Sequence, residues 1–480
     1  MVAQGFKLVL STTSTVVLAR LISPEQYGLY GMVNALLGIL HVVKNAGLLE
    51  ATVQRDVVTH EDLSALFWLN TALGVFLAVA SALLAPALVG FYREPRLFWI
   101  TVALGATFIL GGLSTQHQAL LRRQMRFSAL AVVDVSALAV GIGVGITMAR
   151  AGYGYWALVA MAAANALTTA VMAWTASPWW PGRPRHSLGV VSMIRFGSYL
   201  SGSNLFNYLF RNGDNVLIGW YWGPAALGFY QKAYGLLSLP IEQINAPVGG
   251  VMVSALSRVK DDPERLRRYF IGGYTIIVSA LMPIVLATAI FADDVILFLL
   301  GPRWMGSAVL FRLLAPAALI GAALNPFGAL FVANGQTDRQ FKLAVAWALL
   351  IVSSFAMGLR FGPGGVAAGY SLMSAVLAIP LCLYATKGTA VRLSDLGGAL
   401  RRPIIAGVIA GVVGVFLKTT FDGPMVPAIK AIGGCAVVGL VYLFVLLVVL
   451  RQWEYYRKLA QELLPKREQR GKEDALGSRA

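Results

Sequence analysis

Charged residues are scarce in this chain of 480 residues. They make up 13% of it, about half the quarter that is usual in soluble proteins. Hydrophobic residues make up 58%, and the mean hydropathy is +0.70. No water-soluble fold buries such an apolar excess, so the composition predicts an all-α polytopic membrane protein. The net charge of +17 does not indicate nucleic-acid binding, because the basic residues stand singly between apolar blocks.

Cysteine is almost absent, and the motifs of several enzyme classes are missing. Cys382 and Cys435 lie inside apolar runs, which indicates small buried side chains rather than a disulfide or a metal pair. No G-x-x-x-x-G-K-[ST] loop occurs, so the chain is not an ATPase by itself, and H-E-x-x-H, paired C-x-x-C and G-x-S-x-G motifs are missing too. Asp261-Asp262 and Asp293-Asp294 are interpreted as solvated loops. The sequence therefore predicts a protein that is not an enzyme and has no cofactor or metal.

The apolar residues form fourteen stretches, each close to the length of about 20 residues that a helix needs to cross a membrane. The predicted spans are residues 5–22, 28–49, 64–92, 97–115, 128–150, 155–177, 197–222, 226–250, 269–292, 305–333, 341–360, 364–386, 403–420 and 425–450. The first runs into Ser23-Pro24-Glu25 without a small-residue cleavage site, so we expect it to be retained. The connections are too short for a catalytic domain outside the membrane.

The distribution of Lys and Arg predicts the orientation of the chain. With the N-terminus inside, 28 Lys and Arg residues fall on cytoplasmic segments and eight on the opposite side. Such a bias is typical of membrane proteins whose basic loops stay in the cytoplasm. It predicts that both termini are cytoplasmic and that the charged tail, residues 451–480, is cytoplasmic as well.

An internal repeat relates two parts of the sequence. Residues 16–46 align without gaps to residues 216–246, at an offset of 200 positions. The identities are Val16/Val216, Pro24/Pro224, Gly28/Gly228, Tyr30/Tyr230, Leu36/Leu236, Leu37/Leu237, Asn45/Asn245 and Ala46/Ala246. The matched spans are six apart, an even number, so they cross the membrane in the same direction. This predicts parallel repeats related by an axis along the membrane normal. We therefore expect lobes of six helices at 1–177 and 197–386, followed by two further helices at 403–450.

Polar residues that oppose membrane insertion form stripes on several spans. Six ionisable residues lie well inside apolar spans, and each costs about 2.5–3.5 kcal/mol at mid-helix: Asp134, Asp214, Glu242, Arg211, Lys232 and Arg312. Helical geometry places polar residues on one face of each of three spans: Asn204, Asn207, Arg211, Asp214 and Asn215; Gln231, Tyr234, Ser238, Glu242 and Asn245; and Asn34, His41 and Asn45. These stripes predict a hydrated central cavity. The alternative is hydrogen bonding between helices, with Arg211 merely paired to Asp214.

The chemistry of the predicted cavity favours an anionic, hydroxyl-rich ligand. Guanidinium groups bind phosphate bidentately, and side-chain amides bind sugar hydroxyls. Substrate-binding candidates are Asn34, Asn45, Asn204, Asn207, Arg211, Asp214, Asn215, Gln231, Lys232 and Arg312. Candidates for carrying a coupling proton or sodium ion are Asp134, Asp214, Glu242 and His41.

Several motifs of the sequence are similar to a known family. The stretch Ala19-Arg20-Leu21-Ile22-Ser23-Pro24-Glu25-Gln26-Tyr27-Gly28-Leu29 resembles the opening signature of the polysaccharide-transport branch of the multidrug/oligosaccharidyl-lipid/polysaccharide exporter superfamily. Further matching segments are Gln54-Arg55, Leu66–Asn70, Phe196–Asn215, Leu227–Tyr230, Ser257–Leu266 and Gly301–Trp304. The resemblance is strongest to Wzx-type flippases of exopolysaccharide and O-antigen synthesis. Family members usually carry a longer segment before the signature, whereas the first span here is short and carries Lys7, so we expect either a miscalled start codon or a truncated first helix.

The resemblance implies a fold and a function. It implies two six-helix lobes with two extra helices in a bacterial inner membrane. It also implies movement of undecaprenyl-pyrophosphate-linked oligosaccharide from the cytoplasmic to the periplasmic leaflet, driven by an ion gradient. By motif match, the residues implied to line the cavity are Asn204, Asn207, Arg211, Asp214 and Asn215. The partners implied are the lipid-linked oligosaccharide, the bilayer and other polysaccharide-assembly membrane proteins, and no nucleic acid.

Two other functions stay open from the sequence. A drug or cation antiporter of the same superfamily is the first. A cationic substrate would be bound better by an acidic cavity than by the balanced cavity predicted here. A membrane polysaccharide polymerase or ligase is the second, and it requires a large periplasmic loop that the spacing of the spans does not provide.

Overall fold

The structure is a computed structural model that describes residues 2–44, 52–53, 58–183, 188–420 and 426–457. Its side chains are described from residue 4 onward in these ranges, except at 188–207, 209 and 210. The helices are α1 (Val2–Leu21), α2 (Pro24–Lys44), α3 (His60–Tyr92), α4 (Leu97–Arg123), α5 (Phe127–Arg150), α6 (Trp156–Ala176), α7 (Leu188–Arg258), α8 (Pro263–Ile290), α9 (Ala292–Leu299), α10 (Gly306–Leu324), α11 (Pro326–Ala333), α12 (Thr337–Gly358), α13 (Gly362–Thr386), α14 (Leu393–Thr420) and α15 (Pro427–Phe444). Every regular element in these ranges is helical.

The predicted all-α polytopic fold is confirmed. Each of the fourteen predicted spans is mainly helical where the structure describes it, with breaks at Phe291 and Asn325 and at a few span ends. Ten segments of the described residues are long and apolar enough to cross a membrane by length and composition. Helices α1 and α7 are not among these ten, because polar residues interrupt their apolar sequence. The helices with the weakest hydropathy are therefore those that carry polar runs, as expected where helices surround something other than lipid.

Glycine-proline steps mark the breaks between consecutive helices. Gly223 has φ 80° and ψ −177° inside α7, Gly301 has φ 94° and ψ 176°, and Gly362 has φ 82° and ψ −176°. Each is followed by proline, which fits the first turn of a helix. Only glycine adopts this backbone region readily. The predicted break between residues 222 and 226 is thus a kink at Gly223, which divides α7 into two helical segments.

One interpretation of the sequence was wrong. Asp293 and Asp294 do not lie in a solvated loop but in the first turn of α9. A negative charge is favourable there because the first turn of a helix carries a partial positive charge. Asp261 and Asp262 do precede a helix, and Asp262 caps α8 by accepting a hydrogen bond from the backbone N–H of Arg265 at 3.1 Å. The apolar run over 269–292 hid the start of a second, short helix.

The chain forms two compact units. The first consists of Met1–Tyr234, Leu299–Leu310 and Ala348–Gly369, and the second of Gly235–Phe298, Phe311–Trp347 and Tyr370–Ala480. In the first unit, α3 and α4 approach closely through glycine: a Cβ on Gly74 would lie 2.6 Å from the carbonyl oxygen of Phe108, and one on Gly112 would lie 2.5 Å from that of Asn70. Small residues allow such backbone contact between membrane helices.

The second unit has an aromatic core of its own. It is formed by α8, α11 and the end of α7, with Phe270 and Phe327 at a ring-centroid distance of 5.3 Å. Tyr274 lies against the same Phe327 ring at 6.3 Å. These rings are almost fully buried, and their edge and offset contacts add to the dispersion energy of the core.

Candidate functional site

Helices α2 and α7 cross in the first unit at a point where each helix carries a glycine. A Cβ on Gly28 would overlap the carbonyl oxygen of Pro224, and a Cβ on Gly228 would overlap the carbonyl oxygen of Pro24. The two contacts are reciprocal, and the four residues are two identical pairs of the 200-residue repeat. The repeat that the sequence predicted therefore corresponds to a contact between its equivalent positions.

Cationic and amide side chains follow directly after this crossing. The Lys232 Nζ lies 3.7 Å from the centroid of the Tyr27 ring, within the range of a cation–π interaction. Gln231 is packed against Gly31 so closely that a Cβ there would overlap its side-chain amide. Lys232 forms no ion pair with an acidic side chain in the described part of the chain. The Lys232 amino group thus contacts an aromatic ring and no described carboxylate.

Asp214 is buried and held by neutral groups. Its carboxylate accepts a hydrogen bond from the hydroxyl of Tyr230 at 2.8 Å and another from the backbone N–H of Asn215 at 2.7 Å. No ion pair joins Asp214 to Arg211 among the residues that the structure describes. The pairing of these two residues, which the sequence left open as an alternative, is therefore absent. The buried carboxylate and the exposed guanidinium of Arg211 have separate surroundings.

The first part of α7 is attached to α2 by a tyrosine. The hydroxyl of Tyr208 donates to the carbonyl oxygens of Ala35 at 3.0 Å and Asn34 at 3.2 Å. The side chain of Asn34 itself is exposed. On the same helix, the His41 ring lies 4.5 Å from the Phe108 ring between centroids. The α2 backbone is therefore bonded to α7, and the His41 side chain of α2 lies against α4.

An unsatisfied amide lies close to Asp214. The Asn215 Nδ2 donates to the side-chain oxygen of Asn212 at 3.4 Å, whereas its own Oδ1 is buried without a hydrogen-bond partner in the described residues. A buried acceptor without a partner costs about 1–3 kcal/mol. Such a group is typical of a site that binds water or ligand.

A salt-bridge cluster lies at the start of α2. The guanidinium of Arg96 donates to Glu25 at 2.7 Å and to Glu94 at 2.8 and 2.9 Å. The hydrogen bond from Arg96 holds the pKa of the Glu94 carboxyl below its usual range. This cluster ties the turn between α3 and α4 to the beginning of α2, next to the Gly28 crossing.

Two of the ionisable residues predicted inside spans have acidic or basic partners that the sequence did not reveal. Asp134 on α5 pairs with Lys7 on α1. In the second unit, Arg312 donates to Asp293 at 2.7 Å, and Asp293 also accepts from Lys418 at 2.9 Å. Sequence analysis missed both partners because each lies near a predicted span end. Within a span, such pairing lowers the cost of placing the charges in the membrane.

The remaining predicted site residues are placed as follows. Glu242 is exposed on α7, in the second unit. Asn204 and Asn207 lie on α7, but their side chains are outside the described set, and Asn45 lies outside the described residues altogether. Sequence reasoning did not single out Tyr27 or Tyr230, although Tyr30/Tyr230 was a repeat identity and Tyr27 belongs to the 19–29 signature. No group of three or more His, Cys, Asp or Glu side chains in the described ranges is arranged to hold a metal ion.

These features define a class of protein. The chain is a multi-pass helical membrane protein, with the side chains of Gln231 and Lys232 next to the point where α2 and α7 cross. This construction is typical of membrane transporters built from repeats. Residues 17–309 match the family of polysaccharide biosynthesis proteins. The match covers more than half of the chain, so the protein belongs to that family, and the resemblance drawn from the sequence motifs is confirmed.

Individual relatives agree with this family. The chain is 24% identical to the lipopolysaccharide biosynthesis protein WzxC of Escherichia coli (strain K12) over 363 residues, which are 75% of this chain and 74% of that protein. It is 25% identical to the succinoglycan biosynthesis transport protein ExoT of Rhizobium meliloti (strain 1021) over 447 residues, 91% of this chain and 88% of that one. Among solved structures, the lipid II flippase MurJ in an inward closed conformation matches with a TM-score of 0.76 at 13% identity, covering 96% of this chain and 99% of MurJ. At that identity the match shows a shared fold.

Proposed function

We propose that this protein flips polyprenyl-pyrophosphate-linked oligosaccharide units from the cytoplasmic to the periplasmic leaflet of a bacterial inner membrane. It works by alternating access, and the units are used to synthesise a cell-surface polysaccharide. The family and the named relatives support a role in polysaccharide synthesis. The fold shared with MurJ supports movement of a lipid-linked substrate. The orientation with both termini in the cytoplasm follows from the Lys and Arg bias and belongs to the same proposal.

One observation carries the proposal at the level of residues. Arg211 and Lys232 are both on α7, and neither is neutralised by an acidic side chain in the described residues. Asp214, the acid between them in sequence, is bonded to Tyr230 instead. Neither side chain therefore has a described counter-ion, and an anionic group such as pyrophosphate, which guanidinium and ammonium groups bind strongly, would supply one. A cationic drug would be repelled by the same charges.

Replacing Arg211 by Ala tests this proposal. We expect export of the surface polysaccharide to fall at least about tenfold, because a charge-assisted hydrogen bond is worth about 1.5–3 kcal/mol. Arg211→Lys should retain part of the export, since it keeps the charge and loses the bidentate geometry. Export is measured as surface polysaccharide per cell in a strain that lacks the chromosomal copy, with the amount of membrane-inserted protein measured by immunoblot.

Arg150→Ala is the matched control, because Arg150 is an exposed arginine at the end of α5. Normal export by Arg211→Ala at equal protein level would contradict the proposal. Drug hypersensitivity of the deletion strain with intact polysaccharide would favour the antiporter alternative. Translocation of a lipid-linked oligosaccharide in proteoliposomes without growth of polymer would separate a flippase from a polymerase or ligase.

The proposal includes coupling to a proton or sodium gradient, with Asp214 as the carrier. Asp214 is buried and hydrogen-bonded to neutral groups, so binding of a cation does not require it to leave an ion pair. Asp134 is already paired with Lys7, and Glu242 is exposed. His41 is packed against Phe108. Among the four candidates from the sequence, Asp214 therefore has the surroundings best suited to exchange an ion.

A further inference from the structure

A pocket in the second unit lies apart from every residue assigned to transport above. Three segments form it: the beginning of α8, the beginning of α14, and the segment after α15 that contains Gln452 and Tyr456. Its volume is ≈ 490 Å³, within the range of small-ligand sites. All three segments belong to the side of the chain that the Lys and Arg bias predicts to be cytoplasmic.

Two of the charged residues in the pocket neutralise each other. The guanidinium of Arg267 on α8 forms a bidentate pair with Asp395 on α14: its Nε donates at 2.7 Å, and its Nη2 donates to the other carboxylate oxygen. This pair joins the two helices at the pocket wall. The net charge of the lining is then set by Arg268, Arg402 and Glu264, and it is positive.

The guanidinium of Arg402 is positioned by a neutral group. Its Nη1 donates to the side-chain oxygen of Gln452 at 2.7 Å, and Gln452 is buried and donates in turn to the carbonyl oxygen of Leu450 at 2.9 Å. An arginine has five N–H donors, and within the described residues the others of Arg402 have no protein acceptor. The arrangement fixes the orientation of the guanidinium and leaves its charge available to a ligand.

The other walls of the pocket are also fixed. The hydroxyl of Tyr456 lies 2.5 Å from that of Ser279 in a hydrogen bond, which holds the tyrosine ring against α8. The side chain of Arg268 has no hydrogen bond or ion pair with any residue that the structure describes. Two guanidinium groups without acidic partners thus flank a cavity lined by an aromatic ring and a buried amide. This donor set matches a phosphate oxyanion, which accepts several N–H bonds at once.

The surface beside the pocket indicates where the phosphate comes from. On α14, the residues that follow Arg402 on the same helix face are Ile405, Ile409, Val412 and Phe416, and all four are exposed large hydrophobic side chains. An apolar stripe that begins at a basic pocket matches a phospholipid, with its headgroup in the pocket and its acyl chains along the helix. We propose that this pocket binds the phosphate headgroup of an anionic phospholipid. The inference is independent of the proposed transport function.

The test uses the purified full-length protein in detergent, freed of native lipid. We expect the protein to have a higher melting temperature with phosphatidylglycerol than with phosphatidylcholine at the same mole fraction, because a ligand that binds only the folded state stabilises it. In Arg268→Gln/Arg402→Gln, the lipid concentration that gives half of this rise should increase at least about tenfold. Native mass spectrometry should show fewer phosphatidylglycerol adducts on the variant.

Arg265→Gln/Arg401→Gln is the matched control. It also removes one positive charge from each of the two helices, but at exposed residues that do not line the pocket. We expect its response to phosphatidylglycerol to remain within about threefold of the natural protein. If both double variants lost the response to phosphatidylglycerol equally, the lipid would be attracted by general surface charge, and the proposal would be overturned. Stabilisation of the natural protein by phosphatidylcholine as large as that by phosphatidylglycerol would overturn it too.

Two further arms complete the experiment. Inorganic phosphate alone, if it gave the same arginine-dependent stabilisation, would overturn the lipid as the source of the phosphate. If the double variant fails to fold, Arg268→Gln alone provides the test, because that side chain has no protein partner in the described residues to lose. An unchanged phosphatidylglycerol response in a folded single variant would then count against the pocket.

Discussion

Single residues in the first unit obtain their surroundings from partners on another helix or on the other side of the Gly223 kink. Lys232 is positioned by Tyr27, and Asp214 by Tyr230 and the backbone of Asn215. The polar residues themselves could be predicted, because ionisable side chains are conspicuous within apolar spans. Their partners could not, because a tyrosine is common in membrane helices and which ring meets which cation depends on how the helices cross.

Asp214→Asn provides a prediction at this scale that rests on the proposed function. We expect transport of lipid-linked oligosaccharide by the variant in proteoliposomes to become independent of an imposed proton or sodium gradient, because the amide cannot bind or release the ion. The measurement is the ratio of initial rates with and without the gradient. The natural protein should show a ratio above one, and the variant a ratio near one.

Glu242→Gln is the comparison for that experiment. Glu242 is also acidic and on α7, but its side chain is exposed. We expect this variant to keep the response to the gradient. Loss of the response in Glu242→Gln together with its retention in Asp214→Asn would assign the ion to Glu242 and contradict the proposal.

Helices and their breaks form the next scale. The spans followed from apolar runs, and the steps at Gly223, Gly301 and Gly362 fall in gaps between predicted spans, because an apolar run and its interruption are local signals. The short helix α9 was not foreseen, because its apolar residues continue those of α8. The reciprocal contact of Gly28 and Gly228 was visible only as a repeat identity, since a sequence does not say which glycines face another backbone.

Gly228→Ala gives a prediction for the crossing of α2 and α7. The added Cβ would overlap the backbone carbonyl of Pro24, and a backbone cannot move aside as the end of a side chain can. Overpacking of this kind costs about 1–3 kcal/mol. We expect a lower melting temperature in detergent and reduced polysaccharide export, and Gly28→Ala should behave in the same way.

Gly235→Ala serves as the control on the same helix. A Cβ there would meet nothing within 4 Å, and alanine favours a helix over glycine by about 0.5–1 kcal/mol. Its melting temperature should therefore be unchanged or slightly higher. Equal destabilisation by the two alanines would mean that glycine is required along α7 for some reason other than the crossing.

The whole molecule is described most simply by its charge. The net charge of +17 is mostly an orientation signal, since 28 basic residues fall on segments predicted to be cytoplasmic and eight on the other side. The few charges within the spans are a separate set, and two of them, Asp134 and Arg312, form ion pairs with Lys7 and Asp293 on other helices. Composition thus predicted the class of protein and its orientation, whereas the site depended on contacts between distant helices.

Cysteine labelling tests the proposed orientation. In a variant without Cys382 and Cys435, single cysteines replace Tyr153, exposed between α5 and α6, or Lys260, exposed between α7 and α8. Because the basic connection should stay inside, a membrane-impermeant maleimide added to intact inner-membrane spheroplasts should label Tyr153→Cys at least about tenfold faster than Lys260→Cys. Opening the membrane should bring the two rates together. Faster labelling of Lys260→Cys in the intact state would invert the topology, and with it the direction of transport and the side on which the phospholipid pocket opens.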